Sequence, residues 1–385
     1  MSTYYFDHAA SAPRRVEVTQ AMAPWMHGVV VNPAGTHRAA RLARRAIEEA
    51  RDEIAALTAA KPGNVVFTAG GTESCTLAIA GVVHTHRRQH ERSCIVISPI
   101  EHHAVLDAAA MVARQLDNVD VLMLRVDSDG VLDLSSLHEA LEQPNVAVVS
   151  VMMANNETGV VQPVDAAAAM AQAAGVVSHS DVVAAAPWMD LSVVGASVDM
   201  ISLCAHKLGG PVNAGALVLR RDITMDALAP GGGQEKGRRG GTVDVAAAVG
   251  LATALRLAAQ DREATVRRVT ALRDTLIAGV SDLGDVAVTG SAAVRLPGTV
   301  HLTFPGIASD ELLFVLDEAG VCASAAAACS SGAVVASHVL DAMGMDPARA
   351  RGSLRLSFGA ETTSEDIAAV TALLRSAVTH LRADA

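Results

Sequence analysis

Seven short apolar runs, at residues 64–68, 94–98, 119–126, 146–153, 175–179, 198–203 and 214–219, lack the polar–apolar alternation of a half-exposed strand. Runs of that kind need cover on both faces of a sheet. Alanine-rich segments with helical spacing (39–57, 72–84, 103–115 and 164–174) fall between many of them. This rhythm predicts an α/β fold with a mostly parallel sheet in a large domain. Near Gly231-Gly-Gly the rhythm breaks into a glycine-rich, basic stretch that ends at Thr242 and is not expected to form core. A long polar-faced helical segment over 245–283 follows, then strands at 300–304 and 353–357 and helices at 309–319 and 364–381. A domain change is expected within 250–265. Residues 16–257 would form the large domain, and residues 1–15 with 258–385 a smaller α+β domain. No internal repeat is visible.

Composition narrows the function classes. Of 385 residues, 51% are hydrophobic and 18% charged, which supplies a core and excludes disorder as the main state. Aromatic residues are only 2%, so the core must be built from Ala, Val, Leu and Met. A net charge of −11 argues against a nucleic-acid or anionic-membrane binder. Arg38, Arg41, Arg44 and Arg45 form the one candidate basic patch. The best apolar stretch, 245–255, falls short of the roughly 18 residues a membrane span needs. The N-terminus lacks the basic and apolar regions of a secretion signal. The five cysteines are odd in number and scattered, with no CxxC, so a cytoplasmic enzyme with at most one reactive thiol is expected.

The chemistry-bearing residues stand at the ends of the strands, where open α/β sheets bind ligands. The first strand ends in Thr68-Ala-Gly-Gly-Thr-Glu and enters a helix, a turn whose free N–H groups and Thr72 hydroxyl suit a phosphate. Alone, that turn is also an ordinary helix entry. The next ends carry Glu101-His102-His103, Asn155-Asn156-Glu157, Asp181 and His206-Lys207. A lysine directly after an apolar run sits half-buried, where desolvation lowers its pKa and makes the amine a nucleophile. Lysine, an acidic residue and a phosphate cradle together are what pyridoxal phosphate requires. His86 and His90 share a helix face, but no acidic or thiol partner stands at ligand spacing, so no metal is expected.

The ordered motifs Asp7-His-Ala-Ala-Ser-Ala-Pro, Asn32-Pro-Ala-Gly-Thr-His, Phe67-Thr-Ala-Gly-Gly-Thr-Glu-Ser, Glu101-His-His-Ala-Val-Leu-Asp, Ala154-Asn-Asn-Glu-Thr-Gly, Ala205-His-Lys-Leu-Gly-Gly-Pro, Gly231-Gly-Gly-Gln-Glu-Lys-Gly-Arg-Arg-Gly-Gly-Thr and Ser353-Leu-Arg-Leu-Ser-Phe-Gly span about residues 4 to 360. Together they resemble the cysteine desulfurases of the nitrogen-fixation and iron–sulfur-cluster type. Those belong to the class V aminotransferase group of fold-type I pyridoxal-phosphate enzymes. The resemblance implies that Lys207 is the Schiff-base lysine, that His102 stacks on the pyridine ring and helps move protons, and that Asp181 pairs with the ring nitrogen. It implies that Gly71, Thr72, Cys204, His206 and the partner subunit's Thr242 surround the phosphate. Asn155 would touch cofactor and substrate, and Arg355 would fork onto the substrate's α-carboxylate. Cys329 falls at the position of the nucleophile that takes sulfur from L-cysteine as a persulfide and leaves alanine. A homodimer and a sulfur-acceptor protein are implied as partners.

The sequence departs from that pattern at several positions. Ala184 replaces a glutamine, Cys204 a serine, Gly209 an aromatic and Val212 a basic residue, and Ala326-Ala-Ala precedes Cys329. The chain stops at Ala385, where housekeeping members continue into a scaffold-docking tail, so that docking is not expected. These departures point to a specialised member. Cys329 lies in Ala325-Ala-Ala-Ala-Cys-Ser-Ser-Gly-Ala, which reads as a mobile loop carrying the thiol, or alternatively as a buried helix. Cys322 reads as core. Two other classes stay open: a C–S lyase or aminotransferase on the same fold working without Cys329, and a catalytically weak homologue acting as a binding partner.

Overall fold

The computed structural model describes residues 3–27, 31–193, 196–325 and 337–383, together with the backbone of two short strands, Cys329–Ser330 and Ala333–Val334. The seven apolar runs become β1 (Val65–Thr68), β2 (Ser93–Ile97), β3 (Val119–Met123), β4 (Val146–Ser150), β5 (Val177–Asp181), β6 (Met200–Cys204) and β7 (Gly215–Leu219). They form one sheet in the order β1-β7-β6-β5-β4-β2-β3. Strands β3, β2, β4, β5 and β6 pair in parallel, and only β7 runs against its two neighbours. Six strands therefore deliver their carboxyl ends to the same edge.

Helices cover both faces, as continuous apolar strands require. They are α1 (Val16–Met26), α2 (Arg38–Leu57), α3 (Gly71–Arg87), α4 (His103–Gln115), α5 (Leu134–Leu141), α6 (Val164–Ala173) and the first half of α7 (Val245–Val280), while α8 (Ser309–Glu318) packs in the core of the small sheet. One face packs against α3 and α4 through Ile95, Ile97, Val148 and Met200. The other packs against α2, α5, α6 and the first half of α7 through Val96, Val149, Ile201 and Leu203. The second half of α7 turns Val269, Leu272 and Leu276 into a separate core with Phe6, Phe304 and Phe358. That core sits on a small antiparallel sheet of β8 (Ala287–Val288), β9 (Thr299–Thr303) and β10 (Ser353–Ser357), with β9 in the middle.

Two elements depart from expectation. Helix α1 carries Pro24 in its last turns, where an acceptor is still available one turn earlier but the pyrrolidine supplies no donor. Helix α5 is only eight residues long, too short for its periodicity to stand out. The basic patch on α2 is largely spent on the fold: Arg41 donates to the Thr36 carbonyl, Arg44 to those of Pro33 and Gly35, and Arg45 pairs with Glu49. Likewise, His86 is half-buried, bonds the Ser93 hydroxyl at 2.7 Å and stacks on His90. Among the described residues no helix is long and apolar enough to cross a membrane.

Strand β7 touches the start of α3 at close range. A Cβ on Gly215 would lie 2.6 Å from the Gly70 backbone and 2.7 Å from the Leu203 carbonyl oxygen. Neither neighbour is a flexible side chain, so Gly215→Ala forces the backbone apart. The expected outcome is a loss of about 1–3 kcal/mol in a urea denaturation series. An unchanged midpoint would show that the turn at Gly70 yields freely.

Candidate active site

The carboxyl edge of the sheet opens into a cavity of about 490 Å³. Its wall includes Gly71 and Thr72 after β1, His102 after β2, Asn156 after β4, Asp181 at the end of β5, and Cys204, His206 and Lys207 after β6. The small sheet adds Arg355, and the far side is closed by Leu313, Ser324 and Ala325.

Each side chain is held by local chemistry. His102 is the N-cap of α4, and its Nδ1 accepts the Ala104 N–H at 3.0 Å. That leaves the ring proton on Nε2. Burial lowers its pKa, with Asp181 pulling the other way. Asp181 is 6% exposed; its Oδ1 accepts the Val183 N–H at 2.9 Å and its Oδ2 the Cys75 thiol at 3.6 Å. Burial raises its pKa, opposed by the Val183 N–H, His102, Cys75 and Lys207. Burial also lowers the pKa of Lys207, whose Nζ donates to the carbonyls of Ala9 and Ala10. Cys204 lies 3.9 Å from His206 Nε2, and burial pushes its thiol up to about 12, so it stays protonated.

Arg355 is anchored at two points: Nη2 meets Asp7 Oδ1 at 2.7 Å and Nη1 donates to the Asn156 carbonyl at 3.0 Å. Its Nε has no partner. The sequence reading gave no role to Asp7, and named Glu157 only within the strand end Asn155-Asn156-Glu157. The motif Asp7-His-Ala-Ala was the signal for the first, because its only charged side chain must face another motif.

The Asn155-Asn156-Glu157 turn divides its labour. Asn155 is fully buried and its amide is saturated: Oδ1 accepts from the Glu157 and Thr158 N–H groups at 2.9 Å, and Nδ2 donates to the Ile100 carbonyl. Asn156 is the member of the pair that lines the cavity. Glu157 accepts the Ser337 hydroxyl. Thr242 does not line the cavity of its own chain; it lies against the segment at 234–236, the helix starts at 39–43 and 245–246, and a pocket shared with Thr68, Ala69 and Gly215. The backbone of Cys329 belongs to a two-residue strand paired antiparallel with Ala333–Val334, not to a helix. Its side chain, and residues 326–328, lie outside the described residues. Cys322 is half-buried beside Tyr5 rather than in the core, the core position being its neighbour Val321.

The site fits pyridoxal phosphate on its own evidence. No side chain caps α3, so the first-turn N–H groups of Gly71 and Thr72 face the cavity as an anion site. The buried carboxylate of Asp181 and Lys207, a lysine with a lowered pKa, line the same cavity. A Cβ on Gly71 would meet Val183 Cγ2 at 2.9 Å, so this wall stays thin at the turn. Among the described residues no group of three or more His, Cys, Asp or Glu is placed to hold a metal ion.

Such a fold and site define a pyridoxal-phosphate-dependent enzyme. Residues 4–370 match the model of the family described as aminotransferase class-V. The IscS-like cysteine desulfurase of Mycobacterium tuberculosis is 42% identical over 98% of this chain and 97% of that protein. A solved NifS-like protein superposes with a TM-score of 0.90 at 29% identity, covering 98% of this chain and 100% of the other. A third relative, solved as SspA in complex with cysteine, has a TM-score of 0.79 at 31% identity, over 94% and 100% of the two chains. The chain belongs to the class V aminotransferase family and, within it, to the cysteine desulfurases.

Glu157 gives a pH test of this geometry. Burial raises its carboxyl to about 7 from an ordinary 4.5, and Ser337 and Arg355 only partly offset this. The folded protein therefore holds the proton more tightly than the unfolded chain. Stability should fall as pH rises from about 4.5 to about 7, by up to about 3 kcal/mol. In Glu157→Gln that component is absent, so the gap between the two proteins' melting temperatures should widen across this window in the variant's favour. Parallel curves from pH 4 to 8 would contradict it.

Proposed function

We propose that this chain removes sulfur from L-cysteine, leaves L-alanine, and carries the sulfur as a persulfide on Cys329 for delivery to an acceptor protein. The observation that supports this reading is the meeting of Lys207, Asp181, His102 and Arg355 on one cavity that also includes Ser324 and Ala325, the latter four residues before Cys329 in sequence. A lyase or transaminase needs the first four but not the last.

The roles follow from the geometry. Bound in this cavity, pyridoxal phosphate supplies an electron sink for the substrate's Cα–H bond. Asp181 holds a proton on the ring nitrogen, a buried carboxylate being the acceptor that position needs. Lys207, its amine favoured over the ammonium by burial, anchors the cofactor and moves the Cα proton. His102 presents Nε2–H toward the cavity while Nδ1 is tied to Ala104, so it can only donate there until it gives that proton up. Arg355, held by Asp7, binds the α-carboxylate through a fork that Lys cannot reproduce. The Cys329 thiolate then attacks the substrate sulfur: an S–S bond forms, the C–S bond breaks, and its electron pair stays on carbon and takes up a proton to give the methyl group of alanine. No outside oxidant is needed to form the persulfide.

The remaining features belong to the same reading. The proposed division into residues 16–257 and 1–15 with 258–385 is supported by the two separate cores that α7 joins. Thr242 does not line its own cavity, which is consistent with its reaching the phosphate of a second copy in a homodimer. The scattered cysteines favour the cytoplasm.

Measurements of cofactor, product, persulfide and assembly test the reading. The purified protein should be yellow with a band that borohydride bleaches, and Lys207→Ala should lose the covalent adduct; a colourless protein that takes up no cofactor would refute it. Cys329→Ala should still change its visible spectrum with cysteine yet lose alanine production by about three orders of magnitude or more. Wild-type protein briefly exposed to cysteine without reductant should gain one sulfur on the peptide containing Cys329. Pyruvate and ammonia, undiminished in the variant, would move the protein to the lyases. For the dimer, sedimentation should show two copies in all active fractions.

A further inference from the structure

Behind Asp181, on the face of the sheet covered by α3, a row of polar side chains runs through otherwise apolar core. Ser150, His179 and Ser202 come from adjacent strands β4, β5 and β6, and Cys75 from α3. All four are at most 2% exposed. Ser150 Oγ lies 2.9 Å from His179 Nδ1, and His179 Nε2 lies 2.9 Å from Ser202 Oγ. Ser202 hydrogen-bonds Cys75, and the Cys75 sulfur lies 3.6 Å from Asp181 Oδ2. None of these four side chains lines the cavity.

The hydrogens in this row have one consistent arrangement. An ionised Asp181 only accepts, so the Cys75 S–H must donate to it. The sulfur then accepts from the Ser202 hydroxyl, which spends its single hydrogen. The Ser202 oxygen in turn accepts the N–H of His179 Nε2. A neutral imidazole has one donor and one acceptor, so Nδ1 takes the Ser150 hydroxyl. His179 is neutral throughout the working range, since burial pushes its pKa down to about 3. All four donors thus point toward one carboxylate, and bonds aligned in this way polarise one another.

We propose that Cys75, Ser202, His179 and Ser150 form a directed hydrogen-bond relay that keeps Asp181 ionised and in place, making them positioning residues for the ring nitrogen of the cofactor. The inference rests on the reading of Asp181 as the partner of that nitrogen. The relay answers a specific need. Asp181 is buried and flanked by Glu101, a second buried carboxyl whose Oε2 has no partner; His102 and Lys207, which face it from the cavity side, are themselves pushed toward their neutral forms by burial. The Val183 N–H satisfies Oδ1 but leaves Oδ2 to Cys75. Without a donor at Oδ2, protonation of Asp181 would relieve the burial, and its hold on the ring proton would be lost.

The test uses full-length protein reconstituted with pyridoxal phosphate labelled with ¹⁵N at the ring nitrogen. The variants are Cys75→Ala, Cys75→Ser, Ser202→Ala and Asp181→Asn, each checked for folding by circular dichroism and thermal midpoint. Cys75→Ala and Ser202→Ala should raise the cofactor dissociation constant about 3- to 10-fold, a charge-assisted bond through a weak S–H donor being of that size. In both, the ¹⁵N resonance should move toward that of unprotonated pyridine. Cys75→Ser, which keeps a donor, should stay close to wild type in both measurements. If Cys75→Ser is as impaired as Cys75→Ala, packing rather than the hydrogen bond is responsible and the relay is refuted. If the alanine variants match wild type while Asp181→Asn shifts the resonance, the relay is again refuted but the role of Asp181 stands. If Asp181→Asn leaves the resonance unchanged, the role of Asp181 itself fails. Should either alanine variant not fold, the other, compared with Cys75→Ser, decides the matter.

Discussion

Parallel pairing is the constraint from which the rest follows. Strands that point the same way place their carboxyl ends on one edge, and the chain must leave each end through a turn that cannot be apolar throughout. In this protein those turns hold Gly71-Thr72, Glu101-His102, Asn155-Asn156, Asp181 and His206-Lys207. The reversed strand β7 refines the arrangement. Inserted between β1 and β6, it brings Gly215 against both Gly70 and Leu203, which sets the spacing between the anion turn and the lysine turn. A side chain at position 215 would fill that spacing with matter, so a glycine there serves the site as much as the sheet.

The edge left open by β1 is closed by the segment that was expected to contribute no core. Glu235, in a left-handed backbone conformation, is buried against Arg51 with Nη2–Oε1 at 2.8 Å, and its other oxygen accepts the Phe67 N–H. The guanidinium also lies over the Phe67 ring. A carboxylate standing in for a neighbouring strand satisfies the outward amide of an edge strand and blocks further pairing there. A buried pair of this kind adds little net stability, because desolvation offsets the attraction, but it fixes one register. Nearby, Arg239 pairs with Glu73 in the first turn of α3. The glycine-rich arm is thus tied at two points to the strand and helix that form the anion turn, and Thr242 is displayed from a rigid base.

Much of this was legible in the sequence because it is local. Continuous apolar runs mark covered strands, and a polar residue directly after such a run has one place to go. What was not legible depends on distance along the chain. Asp7 and Arg355 are 348 positions apart, and Arg51 and Glu235 are 184 apart; no periodicity links them. The choice between Asn155 and Asn156 turns on a single reversal of the backbone, in which the first residue folds its amide back onto the turn and the second faces outward. Strand β5 extends to Asp181, beyond the expected end at 179, since Ser180 and Asp181 read as a polar strand end until their pairing with Ile201 and Ser202 of β6 is in place.

The departures from the family pattern are also not independent of one another. Gly209 has a φ of 76°, and a Cβ there would meet the Pro13 carbonyl oxygen and Arg15 Cγ at 2.9 Å. The N-terminal segment fills the space beside Gly209, and the Arg15 N–H bonds the Gly209 carbonyl at 3.0 Å. Ala184 and Gly209 then line one small cavity of about 80 Å³ that adjoins the main one at Lys207, between Trp188, Leu296 and Phe358. Restoring a longer side chain at 184 therefore changes the surroundings of the lysine through this shared space as well as adding a contact to the cofactor. Residues that share a cavity couple energetically, so substitutions at these two positions are expected to be non-additive.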